Sequence, residues 1–314
     1  MFDRETYGRV REDMERRRRE AVDTAERRNA ELRLLSPDIK KIDVELQKTG
    51  LELFRLAVAG ESIDALRKRN QELCTKRKDI LKKLGYPEDY TEPKYRCPLC
   101  ADTGFVGTEM CRCFREELIR ENIRTSGIGA LIDRQTFDNF DVESYRKDGD
   151  SVYSEMKRNF EKAKLYAENF DRMRGNILMM GKTGTGKTHL STAMAGKIIA
   201  AGYSVLYDSA QNIMNVFEDD RFRSTRGEEP KSEKFLSVDL LILDDLGTEF
   251  INSFTLSCLY NLINTRQNRG LATVISTNLS PTRLTEQYED RIYSRIIGAD
   301  YDIWRFEGHD HRIG

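Results

Sequence analysis

The sequence lacks the features of a membrane protein, a secreted protein and a strongly basic protein. No apolar run approaches the roughly 18 residues that a membrane-spanning helix needs. The start, MFDRETYGRVRED, has no apolar segment of the kind found in a signal peptide. The 52 basic and 53 acidic side chains nearly cancel, so nucleic-acid binding would have to depend on a local patch. We therefore expect a cytoplasmic protein with no membrane partner, whose cysteines are reduced or bound to metal.

Proline is scarce in the first 84 residues, where Pro37 is the only one in a pattern typical of long helices. Ser36 and Pro37 suit the cap and first position of a helix, so we predict that a new helix begins there. Beyond this point apolar residues recur at alternating steps of three and four, which predicts an antiparallel pair of helices. The residues of this predicted seam are Ile39, Ile42, Leu46, Thr49, Leu53, Leu56, Ile63, Leu66, Asn70, Leu73, Arg77, Ile80 and Leu84.

Residues 1–93 are predicted to form an all-α helical arm. Leu51, Phe54, Val58 and Leu99 lie off the seam and are expected to leave apolar surface exposed. Such a surface favours an arm that docks on the helices of a partner protein. The alternative interpretation is a solvated hairpin that only dimerises the protein.

Cysteine is also sparse, but four of the six cysteines lie in one short stretch, as Cys97, Cys100, Cys111 and Cys113. Two closely spaced pairs of thiolates suit a closed, tetrahedral, structural Zn²⁺ site with no open position for catalysis. The same spacing also allows an iron–sulfur cluster or four unligated thiols. We predict that residues 94–118 form a zinc-binding clip. The remaining two cysteines, Cys74 and Cys258, are expected to be core residues.

A polar connector, residues 119–150, precedes a segment in which strands and helices alternate from residue 151 to residue 314, as in a parallel α/β sheet. Here Gly181-x-x-x-x-Gly186-Lys187-Thr188 follows a short apolar strand and precedes a helix, which indicates a phosphate-binding loop. Lys187 would neutralise phosphate charge, and Thr188 would offer its hydroxyl to Mg²⁺. The loop residues predicted to bind ATP are Gly181, Lys182, Thr183, Gly184, Thr185, Gly186, Lys187, Thr188 and His189.

Two further apolar strands end in polar residues. Asp244 and Asp245 directly follow the apolar run LLIL. Parallel α/β sheets bind ligands at the carboxyl ends of their strands, where these two residues are expected to lie. We expect Asp244 to hold Mg²⁺ and Asp245 to polarise the attacking water, the alternative being that both acids cap the next helix. Asn278 follows the strand LATVIST and could sense the γ-phosphate, unless it is an ordinary turn residue before Pro281.

Arg291 and Arg295 are four residues apart and therefore on one face of a predicted helix. In a solitary ATPase they would be surface ion-pair partners. In a ring or filament, one of them could reach the γ-phosphate of a neighbouring subunit as an arginine finger.

These elements resemble those of AAA+ ATPases, and more narrowly those of the bacterial replicative-helicase loaders of the DnaC/DnaI type and the related IstB transposition helper ATPases. The resemblance covers roughly residues 130–314. It rests on the segments TFDNFD, GKTGTGKTHL, LLILDDLG, VISTN, RIYSRI and FEGHDHR.

The resemblance implies an AAA+ P-loop core with a truncated lid, in which Arg295 matches the position of the family's arginine finger. It also favours zinc in the clip, because some loaders of this group bind zinc in their N-terminal domains. The pair Asp244-Asp245 is similar to that of the loader group, whereas most AAA+ members have Asp-Glu. The shorter second carboxylate should position water less well, which fits a slow switch.

The resemblance therefore implies a Mg²⁺-dependent, slow ATPase that is stimulated by its partner or by DNA. It would bind a hexameric replicative helicase through the arm, deliver it to single-stranded DNA and assemble as a homo-oligomer. The alternatives are an IstB-like transposition helper and a non-hydrolysing ATP-switch scaffold. Residues 217–235 mix basic and aromatic side chains that suit single-stranded DNA, among them Phe217, Arg221, Phe222, Arg223 and Arg226, although a mobile solvated loop explains them equally well.

Overall fold

The computed structural model describes residues 3–171, 175–223, 230–298 and 300–311. The chain divides into two compact units, Arg9–Phe114 and Arg115–Gly314, and the second also includes Met1–Gly8. Among the described residues, no helix has both the length and the apolar character needed to cross a membrane.

The first unit is mainly helical, as predicted. Ser36 interrupts the helices by accepting a hydrogen bond from the Ile39 N–H at 3.3 Å, and Pro37 occupies the first turn of the next helix. Gly60, with φ of 72°, ends that helix in the left-handed conformation that glycine adopts without strain. The helices are α1 (Arg4–Leu35), α2 (Pro37–Ala59) and α3 (Asp64–Lys83).

Helices α2 and α3 run antiparallel, which confirms the predicted hairpin. Thr49 donates to the Asn70 side chain, and Asp43, nearer the start of α2, pairs with Arg77, nearer the end of α3. Every predicted seam residue is buried or half-buried except Leu84, which is exposed. Leu84 lies just past the end of α3 and therefore does not continue the face of the helix that packs on α2. Leu81, one turn earlier, is buried instead.

A buried carboxylate explains the polar seam position at Arg77. Asp43 lies between two guanidinium groups, with Arg33 Nε 2.8 Å from Oδ2 and Arg77 Nε 2.8 Å from Oδ1. Ion pairing with hydrogen bonding is the condition under which a carboxylate can be buried. This contact links α1, α2 and α3.

Two short strands hold the cysteine clip, residues 94–118. β1 (Phe105–Val106) pairs antiparallel with β2 (Glu109–Met110), and α4 (Arg112–Thr125) follows. The expectation that Cys74 is a core residue is wrong, because its side chain is exposed on α3. Cys258 is half-buried.

The second unit contains a five-stranded, wholly parallel sheet with strand order β4-β5-β6-β3-β7, which confirms the predicted α/β fold. The strands are β3 (Asn176–Gly181), β4 (Val205–Ser209), β5 (Leu240–Leu246), β6 (Ala272–Thr277) and β7 (Tyr301–Phe306). The helices are α5 (Asp150–Glu168), α6 (Lys187–Ala201), α7 (Ala210–Arg223), α8 (Glu233–Ser237), α9 (Ser253–Asn268), α10 (Pro281–Gln287) and α11 (Asp290–Ile297).

Apolar side chains fill both faces of the sheet. On β3, Ile177 and Met179 lie in one hydrophobic core, whereas Leu178 and Met180 lie in another. Alternate residues of a strand point to opposite faces, so a strand with helices on both sides is apolar throughout. Three aromatic residues of segment 119–150, Phe137, Phe140 and Tyr145, lie in the first of these cores.

Strand β7 was not predicted from the sequence. It pairs with β3 at the edge of the sheet, and its pairing runs from Tyr301 opposite Asn176 to Phe306 opposite Gly181. Because β7 runs parallel to β3, the residues after β7 lie at the same end of the strands as the phosphate-binding loop, which follows β3.

Candidate nucleotide-binding site

The predicted phosphate-binding loop lies between β3 and α6. Gly184 and Gly186 have φ of 80° and 93°, a left-handed conformation that residues with a Cβ rarely adopt. A Cβ at Gly186 would lie 2.5 Å from the Tyr145 hydroxyl, so the loop has room only for glycine there. The amino end of α6 directly follows the loop, where its dipole and free N–H groups favour an anion.

Lys187 is folded onto the loop. Its ammonium donates to the carbonyl oxygens of Gly181 at 2.6 Å and of Lys182 at 2.7 Å, and its side chain is buried. Phosphate oxygens would be stronger acceptors for the ammonium than these carbonyls, since charge-assisted hydrogen bonds are the stronger class. The lysine is therefore held where a phosphate can recruit it.

Asp244 is buried at the end of β5 and accepts three hydrogen bonds. The Thr188 hydroxyl donates to Oδ2 at 3.3 Å, the Tyr207 hydroxyl donates to the same oxygen, and the Ser276 hydroxyl donates to Oδ1. The structure thus brings together Thr188 and Asp244, the two predicted magnesium residues. Burial and the charge of Asp244 raise the pKa of Tyr207, so this phenol remains a donor at neutral pH.

Asp245 occupies a strained position beside Asp244. Its φ is 53°, which is uncommon for a residue with a side chain, and the pairing of β5 with β6 is irregular between Leu243 and Leu246. The Asp245 N–H donates to Ser276 Oγ at 3.0 Å, while its side chain is exposed and lines a cavity. The bulge turns the second carboxylate away from the core, into the cavity.

The phosphate-binding loop lines the same cavity, through Gly184, Lys187 and Thr188, and Asp245 lies beside them. The TFDNFD segment and the two histidines His309 and His311 also contribute to the lining. The structure therefore assembles most of the predicted ATP residues around one opening.

His189 connects α6 to the TFDNFD segment. Its Nε2 lies 3.0 Å from the Thr136 carbonyl oxygen and 2.9 Å from Asn139 Oδ1, and its ring meets Phe140 edge-on at 5.1 Å. Burial lowers the pKa of His189, so the ring is neutral at pH 7. His189 therefore holds the TFDNFD segment, which lines the cavity, against α6.

Sequence reasoning missed Ser276 and Tyr207. Ser276 contacts both acidic residues, since its hydroxyl donates to Asp244 and accepts from the Asp245 N–H. The available signal was a serine near the end of a buried strand, but Thr273 and Thr277 are buried polar residues of the same strand, so the signal was weak. Tyr207 on β4 carried no comparable signal, because tyrosine is common in strands.

Asn278 lies one residue beyond β6 and is exposed. It is not among the described residues that line the cavity. Its predicted role as a sensor of the γ-phosphate remains a prediction.

The two candidate arginine fingers differ in environment. Arg295 donates from Nε to Asn264 Oδ1 at 3.1 Å and from Nη2 to the Tyr260 hydroxyl at 2.9 Å, so it lies against α9. Arg291 has a side chain that is 77% exposed, with Nε 4.0 Å from Glu289 Oε2. Only Arg291 projects into solvent, whereas Arg295 would have to exchange its partners to reach a neighbouring subunit.

Part of the 217–235 segment is already engaged within the fold. Phe217 stacks against Phe235 with ring centroids 6.4 Å apart, which takes it out of the set of aromatic residues expected for DNA stacking. The Arg221 guanidinium lies 5.1 Å from the ring centroid of Phe254. Arg226 and the side chains of Phe222 and Arg223 lie outside the described residues.

The four clustered cysteines converge as predicted. Cys97 and Cys111 have sulfurs 3.9 Å apart, those of Cys100 and Cys113 are 3.4 Å apart, and all four lie within 4.8 Å of one another. A tetrahedron with Zn–S bonds of about 2.3 Å has sulfur–sulfur edges of about 3.8 Å. The donor set and its spacing therefore fit a structural zinc ion.

Asp102 supports the shape of this cluster. Its carboxylate accepts the N–H groups of Arg96 at 2.8 Å and Cys97 at 2.9 Å, and its φ is 55°. The Cys100 N–H lowers the pKa of the Cys97 thiol to about 7, while burial raises the pKa of the Cys113 thiol. One thiol of the cluster therefore ionises readily and another resists ionisation in the absence of metal.

Two solved structures are similar to part of this chain. A crystal structure of the DnaC helicase loader covers 57% of this chain and 100% of its own length, at 19% identity and a TM-score of 0.48. The replication initiator DnaA, bound to AMPPCP and single-stranded DNA, covers 55% of this chain and 50% of its own, at 25% identity and a TM-score of 0.46.

Sequence comparison gives the family. The "Replicative helicase loader DnaC" of Escherichia coli K12 is 27% identical over 178 residues, which are 57% of this chain and 69% of the relative. Its counterpart from Buchnera aphidicola of Acyrthosiphon pisum is 27% identical over 198 residues, covering 60% and 76%. The model of the IstB-like ATP binding proteins matches residues 128–297, more than half of the chain. The chain therefore belongs to the family of IstB-like ATP binding proteins.

Proposed function

We propose that this protein is an ATP-controlled loader that binds a replicative helicase through its helical arm and delivers it to single-stranded DNA. The observation that carries the proposal is the assembly of Lys187, Thr188 and Asp245 around one cavity, with Asp244 bonded to Thr188. The similarity to replicative helicase loaders supports the choice of a helicase as the partner.

The site suits binding and slow hydrolysis of ATP. Lys187 would leave the carbonyls of Gly181 and Lys182 to pair with the β- and γ-phosphates. Mg²⁺ bound with ATP would be held by Thr188 and Asp244, and would neutralise phosphate charge. Asp245, turned into the cavity, would orient the attacking water.

Two further residues complete the proposed mechanism. Asn278 would report on the γ-phosphate from the end of β6. Arg295 would act on the site of a neighbouring subunit in an assembled oligomer, where stabilising the charge of the transition state is worth several orders of magnitude in rate.

The arm supplies a surface that suits a helical partner. Leu51, Phe54 and Val58 are 76%, 73% and 74% exposed, and their spacing places them on one face of α2, opposite the seam. Half-exposed Val44 extends the same face by two turns. An apolar stripe of this length is the usual docking surface for another amphipathic helix.

The cysteine clip would hold one structural zinc through Cys97, Cys100, Cys111 and Cys113. A segment of this size buries little apolar surface, so a metal ion would supply most of its stability. The proposed organisation is therefore an arm at 1–93, the clip at 94–118, a connector at 119–150 and the ATPase core with a truncated lid at 151–314.

The proposal is tested by pull-down of the host's replicative helicase with the full chain. The double variant Leu51→Asp/Phe54→Asp should lose the helicase while retaining its affinity for nucleotide, because the exposed stripe is disrupted and the ATP site is untouched. Lys76→Asp, a charge change at an exposed position on α3, is the matched control and should bind normally. Helicase capture that is unchanged in the double variant, or absent in the wild type, overturns the proposal.

The family match supports a second candidate, a transposition helper that acts on duplex DNA. The two candidates differ in partner: the helper should bind duplex DNA with ATP and leave the helicase uncaptured. A non-hydrolysing switch is the third possibility. It requires that neither helicase nor DNA stimulate phosphate release from ATP.

A further inference from the structure

A second group of metal-ligand side chains lies apart from the cysteine clip. Asp148 is the last residue of a 3₁₀ helix, Glu143–Asp148, and His309 and His311 follow β7. The carboxylate and the two imidazoles each offer one ligand atom, and these atoms lie within 4.8 Å of one another. Both histidines also line the nucleotide cavity.

The ligand atoms are close enough to share one ion. His309 Nδ1 lies 2.8 Å from Asp148 Oδ2, and His311 Nε2 lies 3.9 Å from the same oxygen. Ligands about 2.0–2.1 Å from a tetrahedral ion are about 3.3–3.4 Å apart, so shifts of roughly half an ångström would suffice. The two imidazole rings lie with centroids 4.1 Å apart.

The backbone is shaped for this approach. Gly308 has φ of 118°, and a Cβ there would lie 2.7 Å from Asp148 Oδ2. The His309 N–H donates to Asp148 Oδ1 at 3.2 Å, which holds the carboxylate in place. A glycine at position 308 is therefore required for the two histidines to reach Asp148.

The Nε2 atom of His311 faces the cluster and lacks a hydrogen-bond partner among the described residues. Ser144 Oγ lies 3.2 Å from His311 Nδ1, which leaves Nε2 to face Asp148. Nε2 is buried and has no hydrogen-bond partner among the residues that the structure describes. A buried polar atom without a partner is costly, and a metal ion would satisfy it.

We propose that Asp148, His309 and His311 form a binding site for a divalent first-row transition-metal ion such as Zn²⁺. Two imidazoles and one carboxylate suit zinc and its neighbours, whereas Mg²⁺ and Ca²⁺ prefer sites built only from oxygen. The ion ties residues 309–311 to the 3₁₀ helix beside the phosphate-binding loop. Within this segment His311 already contacts the loop, since its N–H donates to the Gly184 carbonyl at 3.1 Å.

The test counts metal ions in the full chain, prepared without a histidine tag and without nucleotide. The clip is first saturated with one equivalent of Zn²⁺, and Co²⁺ is then added. A second equivalent should bind with visible d–d absorbance but without the strong thiolate charge-transfer bands that a cysteine site produces. Wild-type protein that binds no metal beyond the clip overturns the proposal, whatever the variants do.

The chain has only three histidines, which makes the matched controls simple. His309→Gln/His311→Gln and Asp148→Asn should each lose the second equivalent. His189→Gln and Asp150→Asn should keep it, because neither residue belongs to the cluster. Ser144→Ala should weaken the second site about 10–100-fold, as expected when the partner that orients a ligand is removed. A second equivalent that persists in the histidine double variant assigns the metal elsewhere and rejects the site.

Discussion

The guanidinium of Arg295 packs over the ring of Tyr260, 4.5 Å from its centroid, and donates to the same residue's hydroxyl. A second bond, to Asn264, fixes the direction of the side chain. A third bond runs from Nη1 to the Arg291 carbonyl oxygen at 3.0 Å. An arginine that acts on a neighbouring subunit must release these three partners, each worth about 1 kcal/mol net. This is a small cost beside the effect of an arginine finger, so these contacts would not prevent the proposed role of Arg295 in a neighbouring site.

Arg295→Ala should therefore have two effects. The variant should lose stimulation of ATP hydrolysis by helicase or single-stranded DNA with unchanged nucleotide affinity, and should be destabilised by about 1–3 kcal/mol. Arg291→Ala, which removes an exposed side chain, should keep both stability and stimulation. Mixing Arg295→Ala with Lys187→Ala should restore part of the activity, as measured by phosphate release. Loss of stimulation in Arg291→Ala alone would transfer the role to that residue.

Ser276 should support both acidic residues. Ser276→Ala removes the donor to the buried Asp244 carboxylate and the acceptor of the Asp245 N–H, so we expect a loss of about 1–3 kcal/mol in stability and a lower rate of hydrolysis. Thermal unfolding and steady-state ATPase assays measure the two effects. Ser257→Ala, an exposed serine on α9, is the control. A Ser276→Ala protein with normal stability and rate contradicts this role.

Lys187 and Asp245 should separate binding from hydrolysis. Lys187→Ala should weaken ATP binding at least about tenfold, because its charge acts on the phosphates of the bound ground state. Asp245→Asn should bind ATP normally but hydrolyse it at a much lower rate, since the proposed role of the carboxylate is to act on the attacking water. A fluorescent ATP analogue measures affinity, and a single-turnover assay measures hydrolysis. Equal loss of affinity in the two variants is the result that this assignment does not allow.

Zinc binding to the clip should depend on pH. The raised pKa of Cys113 means that its thiol is protonated at neutral pH in the metal-free chain, so binding must release a proton. Zinc affinity should therefore rise with pH, by about tenfold per unit for each proton released, and fall as the solution is acidified. Competition with a chelator at pH 6, 7 and 8 measures the slope.

Cys97→Ser should weaken zinc binding and leave nucleotide affinity intact. Cys74→Ser, at an exposed position outside the cluster, is the control and should retain the zinc of the clip. Freshly reduced protein that contains iron, or no metal, would reject the zinc assignment. Because the clip and the ATP site use different residues, loss of both properties in Cys97→Ser would indicate global misfolding.

The local pattern of the sequence determined most of the elements and much of the site. Three features depend only on residues that are close together in the sequence: the phosphate-loop glycines, the cap at Ser36 and the seam of α2 and α3. Their spacing can therefore be recognised from the sequence alone. The convergence of the four cysteines followed from their spacing because a short hairpin can close only in a few ways. The apolar strands were equally clear, since a strand buried on both faces is apolar throughout.

Tertiary structure alone decided which distant side chains meet. Arg266 follows a pattern typical of a solvated helix end, yet it is buried and donates to the carbonyls of Phe235 and Ala272. Pairing of β7 with β3 brings His309 and His311 to Asp148, more than 150 positions earlier in the chain. Ser276 reaches Asp244 because β5 and β6 are neighbours in the sheet. Such contacts depend on strand order and register, which the periodicity of any one segment does not encode.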